Sequence, residues 1–86
     1  MELDDAATWY ERERRGLGGE FLAALLRTLA TVRETPDASP RIAQRVRRAL
    51  IRRFPYAIIF EPVDDRINVL AIMHVHRRPG YWRARR

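Results

Sequence analysis

Two arginine pairs, Arg52-Arg53 and Arg77-Arg78, bracket the most distinctive stretch of this chain. Aromatic residues follow each pair: Phe54 and Tyr56 after the first, Tyr81 and Trp82 after the second. A planar guanidinium beside an aromatic ring can grip phosphate or carboxylate while stacking on the ring, so the pattern suits an anionic partner. Arg47 and Arg48 form a further pair just upstream. His74 and His76 stand two apart, a spacing that puts both rings on one face of a strand and suits a metal or an acid–base pair. No third ligand follows at a clear spacing and cysteine is absent, so no metal and no other cofactor is expected. The simpler role for these histidines is at the rim of a sheet, bonded to backbone or to a carboxylate such as Glu61.

Residues 3–15 have apolar positions at helical spacing (Leu3, Ala6 or Ala7, Tyr10), with Trp9 beside them. The run Gly16-Leu17-Gly18-Gly19 breaks this pattern. A second helix is predicted from about Glu20 to Glu34, with Phe21, Leu25, Leu29 and Val32 as one stripe, widened by Leu22 and Leu26. Arg27 and Arg33 fall outside that stripe and should face solvent. Thr35-Pro36 stops the helix. The short glycine turn predicts an antiparallel helix pair, with Trp9, Tyr10 and Phe21 as core or helix-packing residues.

Three strands should follow: Val46–Ile51, Tyr56–Phe60 and Ile67–His76. The second is apolar enough to be buried on both faces. In the third, Ile67, Val69, Ala71, Met73 and Val75 should point one way, with Met73 an ordinary core residue. Asn68, Leu70, Ile72, His74 and His76 should point the other way. Val63-Asp64-Asp65-Arg66 has the aspartates of a turn, and Pro79-Gly80 ends regular structure before a basic tail. The expected class is a single α+β domain over residues 1–86, a helix pair packed on a small antiparallel sheet.

A chain of 86 residues is near the size at which one core is barely sufficient. No apolar run approaches the ~20 residues of a membrane span. The acidic start at Glu2, Asp4 and Asp5 is the wrong charge for a signal peptide, so a cytoplasmic address is expected. The net charge of +6 conceals an asymmetry. Residues 1–40 carry five basic and eight acidic side chains, whereas residues 41–86 carry twelve and three. All 17 basic residues are arginine, a usage that a GC-rich genome also favours. The clustering itself favours nucleic acid, phosphate or an acidic protein segment.

Several motifs then occur in a telling order: Ala7-Thr8-Trp9-Tyr10-Glu11, Gly16-Leu17-Gly18 followed by Phe21-Leu22, Arg52-Arg53-Phe54-Pro55-Tyr56, and the closing His76-Arg77-Arg78-Pro79-Gly80-Tyr81-Trp82. Together they resemble the RelE/ParE family of toxins from bacterial type II toxin–antitoxin systems, and the ParE-like branch in particular. Each piece alone is common; their shared order over most of the chain is specific. The resemblance implies an acidic antitoxin as partner, with operator DNA reached only through that antitoxin. It assigns antitoxin or target contacts to Arg52, Arg53, His76, Arg77, Arg78, Tyr81 and Trp82. Members of the family open with a β-strand before the first helix, whereas this chain begins inside the helical pattern. The resemblance therefore implies a start assigned downstream or a shortened domain. It also predicts marginal stability alone, with the missing strand supplied by a partner or by another copy of the chain.

The family divides by target. RelE-like members cleave messenger RNA on the ribosome, while ParE-like members inhibit DNA gyrase without acting as nucleases. In the nuclease reading, Arg47 or Arg48, Arg77 or Arg78, and Tyr81 would do the catalytic work, activating the 2′-hydroxyl and stabilising the charged transition state. Ala57 falls where that branch carries an arginine, and losing one such cation costs ~3 kcal/mol, about a hundredfold in rate. The gyrase-directed reading is therefore preferred. A remnant that only binds antitoxin is the third expectation.

Overall fold

The structure, a computed structural model, describes the backbone of residues 2–76 and the side chains of residues 5–76. Two helices, α1 (Glu2–Glu13) and α2 (Leu17–Glu34), pack together and lie on a four-stranded antiparallel sheet. Its strands are β1 (Arg41–Ala43), β2 (Val46–Leu50), β3 (Tyr56–Val63) and β4 (Arg66–His74), in the spatial order β1-β2-β3-β4. This is the expected α+β arrangement. The chain has one more strand than its periodicity announced. No helix among the described residues is long and apolar enough to cross a membrane.

Arg14, Arg15 and Gly16 make the turn between the helices, with Gly16 in the left-handed region at φ 88°; Leu17, Gly18 and Gly19 already belong to α2. Gly16 has no side chain to cap the new helix, and α1 supplies the substitute. The Gly16 and Gly18 backbone N–H groups donate to the two carboxylate oxygens of Glu11, each at 3.0 Å. Those donors would otherwise be orphaned at the helix start, and a negative charge is favourable there. At the far end Thr35 N–H bonds back to Thr31, and Pro36 opens a single 3-10 turn, Pro36–Ala38.

The sheet carries an apolar cluster on each face. On the helix face, Ala6, Tyr10, Phe21, Leu25 and Val32 pack on Ile51, Phe54, Ile58, Phe60 and Ile72. Tyr10, Phe21, Phe54 and Tyr56 meet ring to ring, with centroids 5.0–6.3 Å apart, mostly edge to face. On the opposite face Val46, Ala57, Ile59, Leu70, Ala71 and Met73 form the second cluster. Residues 57–60 are buried from both sides, as their unbroken apolar run predicts.

The helical stripe is narrower than expected. Phe21, Leu25 and Val32 are buried and Leu29 half-buried, but Leu22 and Leu26 are exposed, Leu26 by 64%. Trp9, expected as a core or helix-packing residue, is 55% exposed and so not part of the core. It lies off the Ala7/Glu11 side of α1, which meets α2, and touches the core only through its ring, edge-on to Tyr10 at 5.1 Å. Arg27 and Arg33 face solvent as expected.

The alternation of β4 also needs correction. Phe60 pairs with Val69 and Ile59 with Ala71, so Leu70 is an extra residue in a β-bulge. Across the bulge the facing reverses. Ile67 and Val69 share the helix face with Ile72 and His74, while Leu70 joins Ala71, Met73 and Val75 on the other.

Candidate functional site

Strand pairing places the first arginine pair and the histidines at one rim. The turn between β2 and β3 carries Arg52 and Arg53; Tyr56 at the start of β3 pairs with His74 at the end of β4. Val75 N–H donates to the Pro55 carbonyl at 2.9 Å, tying the chain after β4 to this turn.

The two arginines have different jobs, although both lie in the turn. Arg53 has φ 76°, a left-handed backbone that a non-glycine residue adopts at a cost of about 1 kcal/mol. Its guanidinium donates to Glu20 at 2.9 Å and sits 5.5 Å from the centre of the Phe54 ring. Arg14 holds the other Glu20 oxygen at 3.1 Å. The hydrogen bond from Arg53, then that from Arg14, holds the Glu20 carboxyl below its ordinary value. One carboxylate thus anchors two guanidiniums and leaves the group positive by one charge. Arg52 is exposed and makes no ion pair or hydrogen bond among the described residues. It is the member of the pair available to an incoming anion.

The His74 ring packs edge-on against Tyr56, centroids 5.2 Å apart, and lies 5.3 Å from His76. The His76 backbone N–H donates to His74 Nδ1 at 3.2 Å. The two rings therefore lie side by side, as their spacing suggests, and that of His74 meets backbone. Glu61 is not their partner: it pairs across from Asn68, at the other end of the hairpin. No group of three or more His, Cys, Asp or Glu among the described residues is placed to hold a metal ion. Burial, then the neighbouring Tyr56, raises the Tyr10 hydroxyl above its ordinary range, which suits a packing role.

Arg47 and Arg48 are not brought to this rim. Arg47 pairs with Phe60 on the helix face. Its guanidinium donates to the Ser39 carbonyl at 2.6 Å and the Asp37 carbonyl at 3.2 Å, and lies 3.5 Å from the Asp37 carboxylate. It staples the 3-10 turn to β2. Arg48 is exposed and, opposite Ile59, belongs to the other face. Ala57 is buried within the second cluster. Arg77, Arg78, Tyr81 and Trp82 lie outside the described residues.

What sequence reading missed is the Arg14–Glu20–Arg53 network and the Arg47 staple. Arg14 and Glu20 flank the Gly16 turn, which is a usable local signal; Arg53 is 33 residues from Glu20, and nothing local marks that contact. Comparison with family models, with curated proteins and with solved structures finds no match to this chain. The resemblance to RelE/ParE toxins accordingly rests on the residues themselves.

Proposed function

We propose that this chain is the toxin subunit of a type II toxin–antitoxin module, of the RelE/ParE kind, held inactive by an acidic antitoxin and directed at DNA gyrase in the cytoplasm when free. The observation that carries the reading is the cationic rim. Arg52 stands exposed there beside the anchored Arg53, with His74 and His76 alongside, and the sequence continues from that point into Arg77-Arg78. A rim of this charge favours an acidic peptide segment or an acidic surface of a target enzyme, and inhibition by binding asks for no bond-making group.

Two observations favour the gyrase-directed reading over messenger cleavage. The Arg47 guanidinium is already engaged by Asp37 and Ser39, and Arg48 lies on the opposite face. Ala57, which the resemblance sets at the position of the nuclease branch's arginine, is a buried methyl group in this chain. The test is parallel incubation of the purified chain with supercoiling gyrase and with translating ribosomes, mapping messenger ends in the second. Inhibited gyrase with intact messages is expected. Site-specific cuts with unaffected gyrase would replace the reading with the nuclease. Inactivity in both, with binding to the antitoxin retained, would leave a remnant.

A further inference from the structure

Strand β4 is the last strand of the sheet, and among the described residues no strand pairs with its outer edge. An unpaired edge of nine residues presents a row of backbone donors and acceptors ready to receive another strand. We propose that the strand it receives is β4 of a second copy of this chain, giving a two-fold dimer with a continuous eight-stranded sheet.

The bulge decides where such a two-fold axis can pass. From Ile67 to Val75 the side chains alternate between faces except at Leu70 and Ala71, which share one. Antiparallel pairing keeps opposite residues on the same face. Only an axis between Leu70 and Ala71 satisfies this near the strand centre. It sets Ile67 opposite the partner's His74 and Val69 opposite the partner's Ile72 on the helix face. On the other face Leu70 meets the partner's Ala71.

Three features become complementary under that operation. First, α1 packs over the His74 half of β4, through Tyr10 against Tyr56 beside His74. The Ile67 and Val69 half lies instead under an open groove of about 950 Å³, walled by Leu26, Leu29 and Ala30 of α2. The two-fold places the covered half of one copy beside the open half of the other. Second, the Trp9 ring rests edge-on against Tyr10 at 5.1 Å and is otherwise exposed, turned away from the Ala7/Glu11 side of α1 that meets α2, so its open face can enter the partner's groove and cover Leu26 and Val69. A tryptophan seated in an apolar groove is the type of contact that dominates interface energetics. Third, the axis brings the Asp64-Asp65 turn of each copy beside the His74–His76 end of the other, an acidic end against an imidazole end followed in sequence by Arg77-Arg78. Each contact occurs twice, as an isologous interface requires.

Sedimentation of the full chain from about 1 to 100 µM tests the proposal by mass action. A species of twice the 10.2 kDa chain mass is expected. Val69→Lys and Trp9→Ala, both at exposed positions, should each weaken the dimer by at least about tenfold, while Arg27→Glu on the far side of α2 should not. Amide hydrogen exchange of the unmodified chain supplies a readout that needs no variant: β4 amides should slow as concentration rises. A monomer throughout, with β4 exchange independent of concentration, would overturn the proposal and leave the edge to a different partner. A dimer indifferent to both Val69→Lys and Trp9→Ala would overturn it equally.

Discussion

Gly18 and Gly19 are neighbours in α2, yet adding one methyl group to each should have opposite effects. A Cβ built on Gly18 would stand 2.6 Å from the Ala7 carbonyl oxygen, 3.1 Å from Glu11 Oε1 and 3.3 Å from Glu11 Cβ. The nearest of these is backbone, so it cannot swing aside; α1 itself must move by several tenths of an ångström. That movement drags Ala6 and Tyr10 from the core and loosens the Glu11 carboxylate from the Gly16 and Gly18 N–H groups. Overpacking of this kind costs about 1–3 kcal/mol, and weakening two charge-assisted bonds adds about 1 kcal/mol. Gly18→Ala is therefore expected to destabilise by about 2–4 kcal/mol, a large share of the ~4–13 kcal/mol available to a domain of 86 residues. A Cβ on Gly19 meets nothing within 4 Å, and the residue is helical and exposed. Gly19→Ala should stabilise by about 0.5–1 kcal/mol, because alanine gives up less backbone freedom. Urea unfolding followed by far-UV circular dichroism, at one protein concentration, reads both. Equal losses at the two positions would refute close helix approach as the cause and point instead to turn flexibility. An unharmed Gly18→Ala would refute the packing itself.

Other consequences are equally direct. Glu11→Ala should cost about 1–3 kcal/mol in the same urea titration, since two N–H groups at the start of α2 lose their acceptor. The Glu20 carboxyl is held below its ordinary value of 4.5 by Arg53 and then Arg14. Its stabilising effect is thus fully present above that ordinary value and lost as pH falls through the lowered one. The stability gap between the parent chain and Glu20→Gln should accordingly shrink from pH 7 to pH 3, and a constant gap would contradict the ion-pair origin. Under the proposed gyrase-directed reading, Arg52→Glu should lower gyrase inhibition by about tenfold or more while leaving the urea midpoint unchanged, whereas Arg47→Ala should shift the midpoint because it releases the 3-10 turn.

The elements built on local rules were legible before any coordinates. Apolar spacing located α1 and α2, Thr35-Pro36 ended α2, and Asp64-Asp65 made the β3–β4 turn. The strand β1 was not legible. Its three residues, Arg41, Ile42 and Ala43, are exposed or half-buried, so no alternation marks them, and pairing with β2 alone makes them a strand. At the candidate site, the side-by-side placement of His74 and His76 followed from a spacing of two, and the anionic partner from the arginine clustering. Their assembly with Arg52 at one rim needed the strand register.

By itself, then, the sequence determined the types of α1, α2 and the three longer strands, the α+β class and the cationic character of the second half, because each depends on residues within a few positions of one another. Tertiary structure decided which arginine is free and which is spent on Glu20 or Asp37, since those partners are chosen across 33 and 10 residues. It also decided the facing of β4, because a single bulged residue at Leu70 reverses every side chain beyond it, and a bulge is a property of the pairing with β3. The exposure of Leu22, Leu26 and Trp9 has the same origin. An apolar side chain is buried only where another element covers it, and the reach of neighbouring elements is set by packing across the fold.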